Sequence, residues 1–256
     1  MKILKYREFS EKLDIKPANL DKLYRYRPKT KDELKTIVNE RVEREGPECN
    51  LNDIDVSEVT DMSFLFFNSS FNGNISGWDT SNVTNMSGIF CGAKSFDGDI
   101  SRWNTSKVTN MGEMFAGAKL FNGDISKWDT LNVKYTHGMF RSAEKFNGDI
   151  SGWNTSNVEN MNGMFANAKS FDGDIFEWDT SKVTYMLGMF RNAESFNGDI
   201  SGWDVSNVVN MSFMFSGARK FDQDLSGWKL NRTVDHSNMF FDCPLNNQPW
   251  NQPKFK

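Results

Sequence analysis

The sequence predicts a repeat solenoid in which each 25-residue coil contributes one short parallel β-strand and one short helix or 3-10 turn, with an α-helical cap at its N-terminal end. Three observations predict it. Trp stands at 78, 103, 128, 153, 178, 203 and 228, a period of 25 residues that never slips, and self-similarity at such a period marks a stacked array. Around each Trp the same apolar positions return, in the second unit as Phe96, Ile100, Trp103, Val108, Met111, Met114, Phe115 and Ala118. Upstream, Thr30-Lys-Asp-Glu33 has capping-box spacing, followed by Leu34, Ile37, Val38 and Val42 on one helical face up to Gly46-Pro47.

Within a unit the apolar spacing changes character. Ile100, Trp103 and the β-prone Thr105 predict a strand over 100–105; Val108, Met111, Met114, Phe115 and Ala118 have helix-like spacing and predict one or two helical or 3-10 turns over 108–118. Asp97-Gly98-Asp99 supplies the turn. Seven such units run from 71 to 245, and the stretch 54–62 reads as the second half of an atypical first coil. A coil this short cannot enclose a core, so its Trp, Phe and Met must be buried against neighbouring coils. The expected division is a helical head and cap over 1–48, repeats over 49–245 and a tail over 246–256.

Net charge is −4, yet residues 1–48 carry 13 Lys and Arg against 10 Asp and Glu, so the head is basic and the body acidic. No apolar run approaches the ~20 residues that span a bilayer, so no membrane span is expected. The first residues interleave charges where a secretory leader needs an unbroken apolar stretch, and no export signal is read there. Cys49, Cys91 and Cys243 share no metal-ligand or disulfide spacing.

The unit V-T-N-M-x-x-M-F-x-x-A-x-x-F-N-G-D-I-S-G-W-D-T-S resembles the BspA-like bacterial surface-protein repeats, which include mycoplasma lipoprotein-associated repeats, over residues 49–245. The resemblance implies a leucine-rich-repeat-like, right-handed solenoid, display at the cell surface or secretion, and adhesion to host or matrix proteins. No leader, lipobox or wall-anchoring tail is read in these residues, where the family pattern leads one to expect them, and the location is left open.

No catalytic constellation emerges. His137 and His236 both fall inside repeat units without a triad context, and no phosphate loop, zincin motif or dinucleotide fingerprint occurs. The chain is expected to be a non-enzymatic, cofactor-free binding scaffold, monomeric, with a protein partner. The alternative is an intracellular regulator whose basic head binds nucleic acid and whose solenoid recruits a partner. Residues 9–25 have a superficial helix-turn-helix pattern, but Pro17, Asp21 and the shortness of the segment oppose it. The run over 22–31, with five cations and two tyrosines, reads as a solvated connector, and the acidic body opposes phosphate binding.

Two periodic ladders invite sharper readings. The column Asn74, Asp99, Asp124, Asp149, Asp174, Asp199 and Asp224 suggests calcium, but its oxygens recur only once per coil and Asx turns account for it better. The Thr80, Thr105, Thr130, Thr155 and Thr180 row suggests an ice face, but adjacent Thr and Ser point to opposite faces of a strand. The Met and Phe columns are read as core. Recognition is therefore assigned to the positions that break the period: Arg102, Lys127, Gly152, Glu177 and Gly202 before Trp, and Ala116, Arg141, Ala166, Arg191 and Ser216 after Phe. Arg102, Lys127, Arg141, Glu177 and Arg191 are the candidate partner-binding residues.

Overall fold

A computed structural model describes residues 24–255. The helix-turn-helix reading of residues 9–25 lies almost wholly outside the described residues. Helix α1 (Lys31–Glu45) starts where the capping box places it: Thr30 Oγ1 accepts from the Glu33 amide at 3.3 Å, and the Glu33 carboxylate accepts from the Lys29 amide at 2.7 Å. It ends at Gly46, whose φ of 89° few side chains tolerate.

Leu34 and Val38 of α1 are buried on the first coil. Arg41 clamps the two together. Its guanidinium contacts both oxygens of Asp53 at 2.9 Å, the Asn50 carbonyl at 3.0 Å and the Glu45 carboxylate at 2.8 Å. Burial opposes the charge of Arg41, but these acidic partners outweigh it and raise its pKa. The described part of the basic connector is stitched to the same coil: Tyr26 bridges Ile54 in parallel register, and Lys31 Nζ donates to Ser63 Oγ at 2.8 Å.

Beyond α1 the chain is a stack of coils, and its regular elements differ from those the spacing predicts. Residues 100–105 form no strand. Contact of sheet type occurs instead at isolated parallel bridges one coil apart, Asn85 to Asn110, Asn110 to Tyr135, Tyr135 to Asn160 and onward to Asp235. Residues 108–118 form no helix or 3-10 turn either. Two residues per coil lie in the left-handed region, Glu113 at φ 56° and Gly117 at φ 71° in this one, and each interrupts helical winding.

The amides of this segment show what replaces the helix. Met111, Glu113, Phe115 and Gly117 donate across to the carbonyls of Tyr135, His137, Met139 and Arg141 in the next coil. The intervening Met114, Ala116 and Ala118 donate within their coil to Met111, Glu113 and Phe115, and Gly112 donates to Asn110 Oδ1. Every amide from 111 to 118 is satisfied, as a buried backbone requires. The same four crossing bonds recur at all seven junctions from the first coil to the last, always from amides of one coil to carbonyls of the following one. Just ahead of each run from the second coil onward a bond goes the other way, as from the Thr109 amide to the Thr84 carbonyl. We call this surface the ladder wall.

Inside, the aromatic columns stack from coil to coil. Phe115 lies over Phe140 at 5.6 Å between ring centroids, and Trp128 over Trp153 at 6.4 Å, with interplanar angles of 7° and 6°. Each indole also donates backwards, Trp128 Nε1 to the Ile100 carbonyl at 3.2 Å and Trp153 Nε1 to that of Ile125 at 3.2 Å. The Thr row is interior: Thr105 Oγ1 donates to the Asp129 carbonyl at 2.9 Å, and the row is buried. It is a structural rung and offers no ice-facing surface.

The acidic column forms Asx turns. Asp99, Asp124 and Asp149 each accept from the amide and hydroxyl of the Ser two residues on. Beside it, Asn72, Asp97, Asn122, Asn147, Asp172 and Asn197 each accept the amide of their counterpart one coil later. The tail is held by two 3-10 turns, Pro244–Asn247 and Pro249–Asn251.

Two outcomes follow from this packing. Trp153→Ala removes a stacked ring and its bond at once and should lower stability by about 3–5 kcal/mol, read from the urea midpoint. The Asp99, Asp124 and Asp149 carboxyls are held below the usual carboxylate range, first by their Ser hydroxyls and then by the Ser amides. The folded state thus favours the ionised form, and this contribution is present above the unfolded carboxylate pKa of about 4 and lost as pH falls through the lower folded values. The urea midpoint should fall with acid below about pH 4, less steeply in an Asp124→Asn, Asp149→Asn variant, whose amides still accept both bonds.

Candidate partner-binding face

The ladder wall carries its crossing bonds in the backbone, so its outward side chains are free to vary. The bridge column shows the consequence. Asn85, Asn110, Asn160 and Asn210 each use Oδ1 to accept the amide two residues on. Tyr135 and Tyr185 replace that Asn, are exposed by 39% and 44%, and give up the Asx bond. The Leu187 amide is rescued by Asn162 Oδ1 of the preceding coil at 2.7 Å, and the Leu187 side chain is itself exposed.

The two arginines expected after Phe stand on the same wall. Arg141 forms an ion pair with Glu113 at 2.7 Å, and the Arg191 guanidinium lies 5.5 Å from the Phe213 ring centroid. Both partners occupy the left-handed column that Gly fills at 88, 138, 163 and 188. A non-glycine residue there costs about 1–2 kcal/mol, so Glu113 and Phe213 hold the arginines at local expense. His137 fills the space that Gly112 leaves: a Cβ on Gly112 would meet its ring. Its Nδ1 is buried and has no hydrogen-bond partner among the described residues.

Arg102, Lys127 and Glu177 are also exposed, but they belong to the segment before each Trp and not to the run of residues that makes the crossing bonds. Among the described residues no hydrogen bond, ion pair or ring contact links Lys127 or Glu177 to Arg141 or Arg191. The five candidates therefore divide into two sets, and the ladder set gains Tyr135, Tyr185 and Leu187, which the sequence reasoning missed. The signal was present as Tyr in an otherwise Asn-rich column; a helical reading of the segment concealed it.

Burial pushes the thiols of Cys49 and Cys91 up and that of Cys243 to about 11, so none is primed as a nucleophile. Among the described residues no group of three or more His, Cys, Asp or Glu is placed to hold a metal ion, and no helix is long and apolar enough to cross a membrane.

Comparison with known families adds one finding. A family model described as "Mycoplasma protein of unknown function, DUF285" matches residues 36–153 and again 137–252. The chain belongs to this family. The two DUF285 matches together include most of α1, the coils and the two 3-10 turns, and the second begins about four coils after the first, as tandem repetition requires. No curated protein and no solved structure matches the chain.

The exchange of an Asx bond for an exposed ring predicts an unusual direction of change. Tyr135→Asn restores the acceptor for the His137 amide and should raise stability by about 0.5–1 kcal/mol, measured by the urea midpoint. Tyr185→Asn should be near neutral, because Asn162 already serves Leu187.

Proposed function

We propose that this DUF285 repeat protein is a non-catalytic protein-binding scaffold whose contact face is the ladder wall around Tyr135, Tyr185, Leu187, Arg141 and Arg191. One observation carries the reading: two coils set an exposed Tyr where the repeat has a structural Asn, and at Tyr135 the lost bond to the His137 amide is not replaced, whereas at Tyr185 Asn162 takes it over. Loss of a local stabilising feature without a structural gain marks sites kept for another reason. Tyr and Arg are also the residues that dominate binding energy at protein interfaces. Alternation of aromatic, cationic and apolar side chains over several coils suits an extended protein surface better than a small molecule.

The repeat phrase's resemblance to BspA-like surface proteins adds adhesion to host or matrix proteins, and with it a leucine-rich-repeat-like class of solenoid. No step of this reading needs a cofactor. The full chain should bind an immobilised matrix or host-surface protein saturably. Charge reversal at Arg141 and Arg191 should weaken binding about tenfold or more, equivalent to at least ~1.4 kcal/mol, with cooperative unfolding retained and the midpoint lowered only slightly by loss of the exposed Glu113 pair. Equal binding by wild type and variant to every protein bound would remove the ladder wall from the mechanism.

A further inference from the structure

The ladder has a direction, and the direction leaves its two ends unlike. In each run of four crossing bonds the amides point towards the following coil and the carbonyls towards the preceding one. In the last coil the carbonyls of Asp235, Ser237, Met239 and Phe241 accept from Met211, Phe213, Phe215 and Gly217. The corresponding amides of His236, Asn238, Phe240 and Asp242 point past the end and have no acceptor among the described residues. Their neighbours are all satisfied: Ser237 by Asp235 Oδ1, Met239 by His236, Phe241 by Asn238 and Cys243 by Phe240.

An ordinary β-edge offers donors and acceptors in alternation. Over 236–242 this edge offers four donors and no acceptor. The tail completes the opposite wall of the same coil, where Asn251 accepts from Leu225 at 2.8 Å and Gln248 donates to Asp222, and it stacks Phe255 on the His236 ring at 4.1 Å, but its described residues give the ladder amides no acceptor.

Beside the edge lies a cleft of about 260 Å³ that begins at His236 and is floored by Trp228, Leu230, Val234 and Phe255. Lys229, Arg232 and Lys254 line it, and no carboxylate of the described residues does. None of the three forms an ion pair among the described residues. Of the nearby acids, Asp204 accepts from the Ser206 amide and also attracts Lys229 through space, Asp235 accepts from Ser237, and Asp242 pairs with Arg219 at 3.5 Å; none of them lines the cleft.

We propose that this end of the stack docks an acidic, extended peptide segment of a partner protein. The segment's carbonyls take the four free amides, its carboxylates meet Lys229, Arg232 and Lys254, and an apolar side chain enters over Trp228 and Phe255. The stack contains the precedent, since peptide carbonyls at two-residue spacing fill this row at every internal junction. A basic segment would place like charge against three cations, and a polyanion without apolar groups would leave the aromatic floor uncovered. The proposal rests on the reading of the protein as a protein-binding scaffold but uses a different surface from the ladder side chains.

The test uses the full chain and a fluorescein-labelled peptide alternating Glu and Leu, with a Lys and Leu counterpart, read by anisotropy and by amide hydrogen exchange. The acidic peptide should bind, lose affinity about tenfold or more between about 0.05 and 0.5 M salt, and slow exchange at 236–242 but not at 211–217. A Lys229→Glu, Arg232→Glu variant should lose about tenfold or more in affinity with unchanged tryptophan fluorescence, while charge reversal at Arg141 and Arg191 leaves it unaltered. Binding without protection at 236–242, equal binding of the basic peptide, or tighter binding of a single-stranded oligonucleotide at the same amides would each overturn the proposal. If neither peptide binds while a protein partner still depends on Arg141 and Arg191, the edge proposal fails and the scaffold reading stands.

Discussion

The run of hydrogen bonds from each coil's amides to the next coil's carbonyls is the constraint on which the rest of the molecule depends. A coil of 25 residues has too little apolar surface to close on itself, so its backbone must be satisfied by its neighbours. Two left-handed residues per coil turn alternate amides outward and leave the others to short turns inside the coil. The aromatic columns then fall into register because the backbones are in register. Phe stacks over Phe and Trp over Trp at near-parallel angles along the stack. The indole bonds and Thr rungs cross the same junctions, so backbone, core and polar contacts all join one coil to the next.

That arrangement separates stability from recognition. The crossing bonds belong to the backbone and the packing to inward columns, so outward positions can change with little effect on the stack. Where they change most, at Tyr135, Tyr185, Arg141 and Arg191, the protein gives up an Asx bond or places Glu113 and Phe213 in a strained backbone conformation. The surface so formed is aromatic and cationic on a body that is acidic overall. The polarity of the ladder adds a second asymmetry, because aligned peptides leave a row of donors at one end, much as a helix leaves amides unpaired at its N-terminus.

Particular residues show why some of this was legible in the sequence and some was not. The capping box at Thr30 and Glu33 placed α1 because its signal is local: one side chain and one amide three residues away. The Asx reading of Asp99 held for the same reason, since its partner is Ser101. The apolar spacing of Val108, Met111, Met114, Phe115 and Ala118 identified buried residues correctly but suggested a helix, because that spacing reports which side chains face inward and not where the amides point. Residues that oppose a helix also stand in the sequence, as Gly at 88, 138, 163 and 188 and Gly or Asn at 92, 117, 167, 192 and 217. These are residues that accept a positive φ.

The sequence by itself determined the period, the number of coils, the inward columns and the capped helix, because each is written in residues that recur or interact within a few positions. Only the tertiary structure decided that the coils join through alternating amides instead of strands, that Arg141 and Arg191 share a wall with Tyr135 and Tyr185 while Lys127 and Glu177 do not, and that one end of the ladder presents four donors in a row. Each of these depends on how residues about one coil apart are placed, and although Gly and Asn mark where the backbone turns left-handed, a hydrogen bond from one backbone to another does not identify its partner through the side chains it joins.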